Sequence, residues 1–467
     1  MIDRALRFNS RFAVHDGTPR GALFSPEALR SVEREVVAAS EQVENGRGNG
    51  PLAFLELPYA YSREHGTTMF ADTFWQTLDV IDAAAREIRE TSAQFVHLGI
   101  GGSALGALAL VSALAPKAVV GRQRFVYVVD NVDPDGLFDT FQEFDPDRLY
   151  ANVVSKSGGT VETIATFAIL WEKLRTESRL PVEELRRRVF VTTNPESGAL
   201  AALARNERFR LLPLPDVVHG RFSVFSPMGL FTAAVAGVDV EMLLSGARAA
   251  DRDSAGEPFD RNPSMQLAAL HYLALKSGRI ADLILLPYSD RLRLVADWYS
   301  QLVAESLGKQ GQGLTPVKAL GVTDQHSQLQ LYNDGPKNKL VVFFTVGRYD
   351  HELRIPQSIA SSDAYAYLAG KSINELFEAE RRATEVSLYL HGVPSCRLEL
   401  QSVNAFSLGY LLTVLERTVC ILGYLSQVNA FDQPGVEESK EYARAMLGSP
   451  GERHDALRAV VARLSSN

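Results

Sequence analysis

The hydrophobic period of the chain changes near residue 80. From there to about 215, short, mainly apolar runs recur at 95–98, 125–129, 152–154, 189–191 and 210–214. Between them lie stretches with an apolar residue every three or four positions, such as 104–114 and 160–175. A strand covered on both faces is apolar at every position, whereas an amphipathic helix is apolar along one stripe. The alternation therefore predicts βαβ units, and right-handed crossovers then give a doubly wound parallel sheet. A second cycle begins near 265, with strands predicted at 280–286, 340–346 and 397–400 and helices at 291–306 and 405–425. The two cycles share an architecture but no residue-level repeat. Residues 1–75 read as helical and irregular, with a helix opening at Pro26 and running towards Val43. The tail from Gly435 to Leu464 reads as helical and polar on one side. The expected fold class is α/β: two doubly wound parallel-sheet domains (76–260 and 261–430), a helical N-terminal segment (1–75) and a helical C-terminal tail (431–467).

Composition narrows the function more than the fold. A length of 467 residues exceeds what one core supports, so two domains are the expectation. The apolar fraction of 46% and charged fraction of 22% are those of a packed globular chain. A formal net charge of −8 argues against a nucleic-acid partner, whose backbone needs a basic surface, yet leaves room for a small anion in a cleft. Cys396 and Cys420 sit in apolar surroundings without CxxC spacing or histidine partners, so they are expected to be reduced and structural, with no metal. The N-terminus has charges at Asp3 and Arg4 and no apolar h-region. No uninterrupted apolar run approaches the roughly 18–20 residues of a membrane span. The expectation is a cytoplasmic protein with no membrane partner.

Two loops carry the features of a phosphate site. In His97-Leu98-Gly99-Ile100-Gly101-Gly102-Ser103-Ala104, a buried strand runs into glycines and then into an apolar helix. Glycines let a ligand approach the backbone, and a helix start offers free N–H groups. A dinucleotide loop, or tight strand–helix packing alone, would look similar. The second loop, Ser155-Lys156-Ser157-Gly158-Gly159-Thr160, has the same context but adds hydroxyls at 155, 157 and 160 and a cation at 156. That density of short hydroxyls exceeds what a helix cap requires and suits the three oxygens of a phosphate. The chain lacks a GxxxxGK[ST] motif and a metal-ligand cluster, so nucleotide hydrolysis lacks its usual equipment. A phosphomonoester held by its phosphate remains.

Further candidates lie downstream. Arg221, in Asp216-Val217-Val218-His219-Gly220-Arg221-Phe222-Ser223, follows a strand end and can meet an anion or a developing oxyanion; a surface ion pair is the plainer alternative. Gln301 and Glu305 stand four apart on one helix face, with Glu305 at the end of an apolar helix before a Gly/Gln-rich loop. Partial desolvation there favours the neutral carboxyl and suits a general base near neutrality. His326, in Thr323-Asp324-Gln325-His326-Ser327, is ringed by polar groups and fits either an acid/base or a structural role. Lys440 follows the Pro434-Gly435 break at a helix start, where a lysine is ordinarily solvated.

Taken together and in this order, these segments resemble the phosphoglucose isomerase family. The resemblance spans about 95–445 and rests on Gly101-Gly102-Ser103, Ser155-Lys156-Ser157 with Thr160, Gly220-Arg221-Phe222-Ser223, Gln301-x3-Glu305-Ser306, Asp324-Gln325-His326-Ser327 and Asp432-Gln433-Pro434-Gly435-Val436-Glu437-x2-Lys440. It implies two flavodoxin-like sugar-isomerase (SIS) domains in a homodimer. It also implies cofactor-free interconversion of glucose 6-phosphate and fructose 6-phosphate. By motif, Ser155, Ser157 and Thr160 would hold the phosphate, with Gly102, Ser103, Lys156, Gln301 and Gln433 also on the substrate. Glu305 would move the proton through a cis-enediol(ate), and Arg221 would stabilise its charge. Lys440 and His326 would assist ring opening, His326 from the partner subunit. His219 departs from the family, where glycine is common, and bears on substrate tolerance. A nicotinamide dehydrogenase would leave Glu305, His326 and Lys440 without roles. A non-catalytic phosphosugar-binding regulator would keep the loop at 155–160 but would not need Glu305 and Lys440.

Overall fold

Each apolar run becomes a strand in the computed structural model, which describes residues 5–61, 71–91, 93–121 and 124–465. The parts of the expected N-terminal segment at 1–4 and 62–70 lie outside the described residues. The strands are β1 (Leu6–Asn9), β2 (Gln94–Leu98), β3 (Val126–Val129), β4 (Leu149–Val154), β5 (Val189–Thr193), β6 (Arg210–Pro213), β7 (Asp282–Pro287), β8 (Thr315–Lys318), β9 (Lys339–Val346) and β10 (Ser395–Leu400). One sheet runs β3-β2-β4-β5-β6 and is wholly parallel. Counted from its own first strand, that is 2-1-3-4-5, the flavodoxin-like order. The other runs β8-β7-β9-β10-β1. It repeats 2-1-3-4 in parallel and ends with β1 antiparallel to β10, Leu6 opposite Leu400.

β1 and β8 were not foreseen, and both are edges. β8 is the four residues Thr-Pro-Val-Lys, with both ends exposed. An edge strand has one neighbour and need not read as an apolar run. β1 lies inside the segment expected to be helical, where the helix Pro26–Asn45 does form, capped by the Ser25 side chain on the Ala28 N–H.

Alternation along the buried strands sorts side chains into layers. Val96, Leu98, Ala151, Val153, Val189 and Val191 face an outer core with the helix Val161–Glu177. Phe95, Tyr150, Phe190 and Leu212 face the opposite way, into a core that also receives Leu283, Leu285, Leu340, Val342 and Phe344 of the second sheet. The inner faces of the two sheets thus share one core, filled by the helices Pro227–Val235, Pro263–Ser277, Arg293–Leu307 and Ala405–Leu425. Ala405–Leu425 is apolar and long enough to cross a membrane, which counting uninterrupted runs overlooked because Glu416 and Arg417 break it; 89% of its most apolar window is buried inside the fold. Arg417 is held there by Asp251 at 2.6 Å and by Glu44. Cys396 and Cys420 are buried free thiols.

Candidate active site

Open α/β sheets bind ligands beyond the carboxyl ends of their strands, where the winding reverses. In the first sheet this lies between β2 and β4, and both glycine-bearing loops leave from it. After β2 the chain makes a tight turn at Gly101–Ser103 and enters the helix Leu105–Leu114. A Cβ on Gly102 would stand 2.6 Å from the Gly220 carbonyl carbon and 2.7 Å from the Arg221 backbone nitrogen. Glycine is therefore what lets this turn touch the turn Gly220–Phe222.

His97 braces the turn from below. Its Nε2 lies 2.7 Å from the Ser103 carbonyl and its Nδ1 lies 2.8 Å from the Thr232 hydroxyl. A carbonyl only accepts, so Nε2 carries the proton and Nδ1 accepts from Thr232. Burial holds this imidazole neutral by lowering its pKa to about 4.

After β4 the chain turns through 155–160. Gly158 has φ +64°, and a Cβ there would be 3.1 Å from the Leu200 backbone nitrogen. Thr160 stands at the N-cap of Val161–Glu177, yet its hydroxyl makes no capping bond. It meets the fully buried Ser155 hydroxyl at 2.8 Å instead. Ser157 is exposed and accepts from the Gly159 N–H at 3.3 Å. The result is a helix start without a side-chain cap, bordered by three hydroxyls.

Arg221 joins this half of the molecule to the other. Its guanidinium is 3% exposed, and its five N–H groups meet five acceptors. Nε donates to Ser306 Oγ at 2.8 Å. One terminal nitrogen donates to Glu305 Oε2 at 3.1 Å and Gln433 Oε1 at 3.0 Å. The other donates to the carbonyls of Ala430 at 2.7 Å and Asp432 at 3.0 Å. Gln301 completes the group by donating to the other Glu305 oxygen at 3.2 Å, and its own buried Oε1 has no partner among the described residues.

Charges of both signs surround this group: Lys156 and Arg221 stand with Asp216, Glu305 and Asp432. Lys156 is pushed below the usual ammonium range by burial, with Asp216 opposing and Arg221 adding to the shift. Burial, with Lys156 and Arg221 next, lowers His219 to about 4. Its ring lies 6.1 Å from that of Phe431. His219 is therefore a neutral side chain at neutral pH, set among the residues that surround Arg221.

The tail reaches the site through contacts that sequence reasoning missed. Lys309 pairs with Asp432 at 2.9 Å and donates to the Asn429 carbonyl, holding the 429–433 loop against Arg221. Arg444, on the helix Pro434–Met446, lies 3.4 Å from the Gly159 carbonyl. Lys440 is one turn earlier on that helix, half-exposed and paired with Glu437 at 2.9 Å. His326 is exposed beside the turn Thr323–Gln325, and no hydrogen bond or ion pair among the described residues joins it to Arg221 or Glu305. Thus Arg221, Gln301, Glu305 and Gln433 are directly bonded together, Gly102 touches Arg221, and Lys156 is within its electrostatic reach. His326 and Lys440 stand outside that group. Among the described residues no cluster of three or more His, Cys, Asp or Glu side chains is arranged to hold a metal ion.

Two doubly wound sheets meeting in this way define a two-domain α/β protein with a ligand site beyond the strand ends of its first sheet. The family model described as phosphoglucose isomerase matches residues 80–456. A glucose-6-phosphate isomerase of Carboxydothermus hydrogenoformans is 39% identical over 417 residues, covering 86% of each chain. A solved structure of a hypothetical protein from Thermus thermophilus is 34% identical, with a TM-score of 0.82 over 95% of this chain and 100% of that one. The fold is shared with a glucose-6-phosphate isomerase of Chlamydia trachomatis at 19% identity, with a TM-score of 0.79 over 98% of this chain and 92% of that one. The chain belongs to the phosphoglucose isomerase family.

Proposed function

We infer that the chain is an aldose–ketose isomerase that interconverts D-glucose 6-phosphate and D-fructose 6-phosphate in glycolysis and gluconeogenesis, with Glu305 as the base that carries a proton between C1 and C2. The observation that carries this reading is the bonded group Arg221–Glu305–Gln301–Gln433 beside the glycine turn at 101–103. Moving a proton alpha to a carbonyl needs a base and an oxyanion stabiliser, and no net redox change.

The phosphate is received at 155–160, where the Ser155, Ser157 and Thr160 hydroxyls, Lys156 and the start of Val161–Glu177 lie in one turn, with Ser103 on the other switch-point loop. Binding at that remote end orients C1 and C2. Arg221 has no spare donor, so a substrate oxygen must displace Glu305 or Gln433 from its terminal nitrogen. Displacing Glu305 separates the carboxylate from Arg221 and leaves it free to reach the substrate. The unpartnered Gln301 oxygen accepts a sugar hydroxyl. Lys440 and His326 open the ring. For His326 this requires delivery by a second copy of the chain, which fits its exposure and its separation from the bonded group. The working unit is then a cytoplasmic homodimer, and the residue ranges 1–75, 76–260, 261–430 and 431–467 are its structural divisions.

Running the reaction in D2O tests the proton step. Deuterium is expected at C1 of fructose 6-phosphate and C2 of glucose 6-phosphate after many turnovers. A product pool at equilibrium that carries no deuterium, together with undiminished turnover in Glu305→Gln, would refute proton transfer by this carboxylate.

A further inference from the structure

The second sheet repeats the winding of the first, and its own switch point lies between β7 and β9. A crevice of about 330 Å³ opens there. That volume is at the lower end of the range for small-molecule sites. It is bounded by Ser289 after β7, by residues 346–353 at and after the end of β9, by Val403 after β10, and by the helix Ile373–Leu390. The established chemistry uses none of these residues. The helix Arg293–Leu307 starts beside the crevice and bears Glu305 twelve residues later, so the two places are separated by about 18 Å along its axis.

The lining is chemically different from the phosphate loops. The walls are apolar: Val346, Leu353, Ile373, Phe377 and Val403. Phe377 is braced by the Tyr349 ring at 6.0 Å, and the Tyr349 hydroxyl is tied to the Tyr288 carbonyl at 3.0 Å. A hexose offers hydroxyls all round, and Ser289 is the one Ser or Thr in the lining. The ionisable lining is Arg291, Arg348, Asp350 and His351. Arg291 and Asp350 neutralise each other at 2.9 Å. Arg348 makes no hydrogen bond or ion pair among the described residues, so the rim keeps one uncompensated guanidinium above an apolar cleft. A guanidinium binds a carboxylate through two parallel N–H bonds, and the walls take a ring or a branched chain.

We propose that this crevice is a second small-molecule site, separate from the catalytic one, that takes an organic carboxylate with a compact apolar body. The head lies against Arg348 and the body against Phe377 and Ile373. The probe is 3-phenylpropionate, titrated calorimetrically into the full chain with fructose 6-phosphate and glucose 6-phosphate at saturating equilibrium. Saturable binding of one molecule per chain is expected, with Kd on the order of 0.1–1 mM for a ligand of this size. Loss of the charge-assisted bonds in Arg348→Ala should weaken it about tenfold or more. Ile373→Trp, which fills the cleft without touching the charge, should abolish it. Both positions are exposed, so both variants should fold and keep the parent isomerase activity. Propionate and 3-phenylpropanol, lacking the ring and the charge respectively, should each bind about tenfold more weakly. No saturable binding below about 10 mM would overturn the proposal. So would undiminished affinity in either variant, or displacement of the probe by the sugar phosphates.

Discussion

Arg221→Lys separates the structural task of the guanidinium from the oxyanion role proposed for it. The change keeps one positive charge and removes the planar fork. Lysine has three donors on one nitrogen, while Arg221 serves five acceptors from three places: Ser306 and Glu305 on one helix, the carbonyls of Ala430 and Asp432, and Gln433. At least two acceptors lose their partner in a region where the side chain is 3% exposed. At about 1–3 kcal/mol for each buried group left unsatisfied, and with partial relief by water, the unfolding free energy should fall by about 2 kcal/mol. Arg221→Ala also leaves the Glu305 carboxylate without its counterion and should cost about 4 kcal/mol. The effect on turnover is of a different order. Losing one preorganised donor to an oxyanion typically costs about 10²–10³ in kcat. Urea unfolding gives the first quantity, and a coupled assay of glucose 6-phosphate formed from fructose 6-phosphate gives the second. Glucitol 6-phosphate, which has the phosphate but no carbonyl, reports binding that is independent of the oxyanion. The expected pattern for Arg221→Lys is a folded protein, glucitol 6-phosphate affinity within about tenfold of the parent, and kcat lowered about 100-fold or more. A kcat within about threefold of the parent would refute the oxyanion role and leave Arg221 as a structural clamp.

Glu305→Gln should lower kcat by about 10³ or more while glucitol 6-phosphate binding stays within about threefold; parallel losses in both would point to a binding role instead. His219→Gly removes a neutral ring from beside Phe431 and should change the ratio of kcat/KM for mannose 6-phosphate and fructose 6-phosphate by about fivefold or more. Burial depresses His97 to about 4 and His271 to about 3, from 6.5. The unfolded chain therefore binds more protons below pH 6.5, and stability falls as pH drops from 6.5 towards those values, by on the order of 3 kcal/mol for His97 and on the order of 5 kcal/mol for His271. His271→Phe should remove about one proton from the slope of unfolding free energy against pH between 6 and 4, and an unchanged slope would contradict the assignment. Mixed and reassociated Glu305→Gln and His326→Ala chains should recover about one quarter of parent activity, because half the dimers are mixed and each carries one intact site; no recovery would place both residues on the same chain's site.

The doubly wound sheets were legible because strands covered on both faces are mostly apolar, as in the fully buried β4 and β9, where Asn152, Lys339 and Thr345 are the polar exceptions. The edges were not, since β1 and β8 carry no such run. Switch-point loops were legible for a related reason. Glycines such as Gly102 and Gly158 mark places where backbones must touch or turn left-handed, and that constraint is written in the sequence. What the sequence concealed was partnership. Nothing at Lys309 or Arg444 says that the first holds the 429–433 loop or that the second reaches Gly159. Thr160 stands at a helix N-cap, and nothing in its position says that its hydroxyl turns to Ser155. Long side chains choose partners by geometry fixed elsewhere in the fold, so their roles emerge only once the segments are assembled.

A buried guanidinium cannot wait unpaired for a substrate, because five unsatisfied donors would cost more than the fold could offset. The resting site therefore satisfies Arg221 from within, using the proposed base, a site glutamine and the backbone of the tail loop. Two consequences follow. On the proposed reading, substrate binding exchanges partners rather than adding contacts, and part of the phosphate-binding free energy would go into freeing Arg221 from Glu305 or Gln433. Stability and activity also become inseparable at this position, because the same five bonds join the two sheets and the tail. The crevice on the second sheet stands apart from that joint. Its Arg348 is exposed and has no hydrogen bond or ion pair among the described residues, so its residues can change without loosening the bonded group, and the proposed ligand would compete for no bond that Arg221 makes.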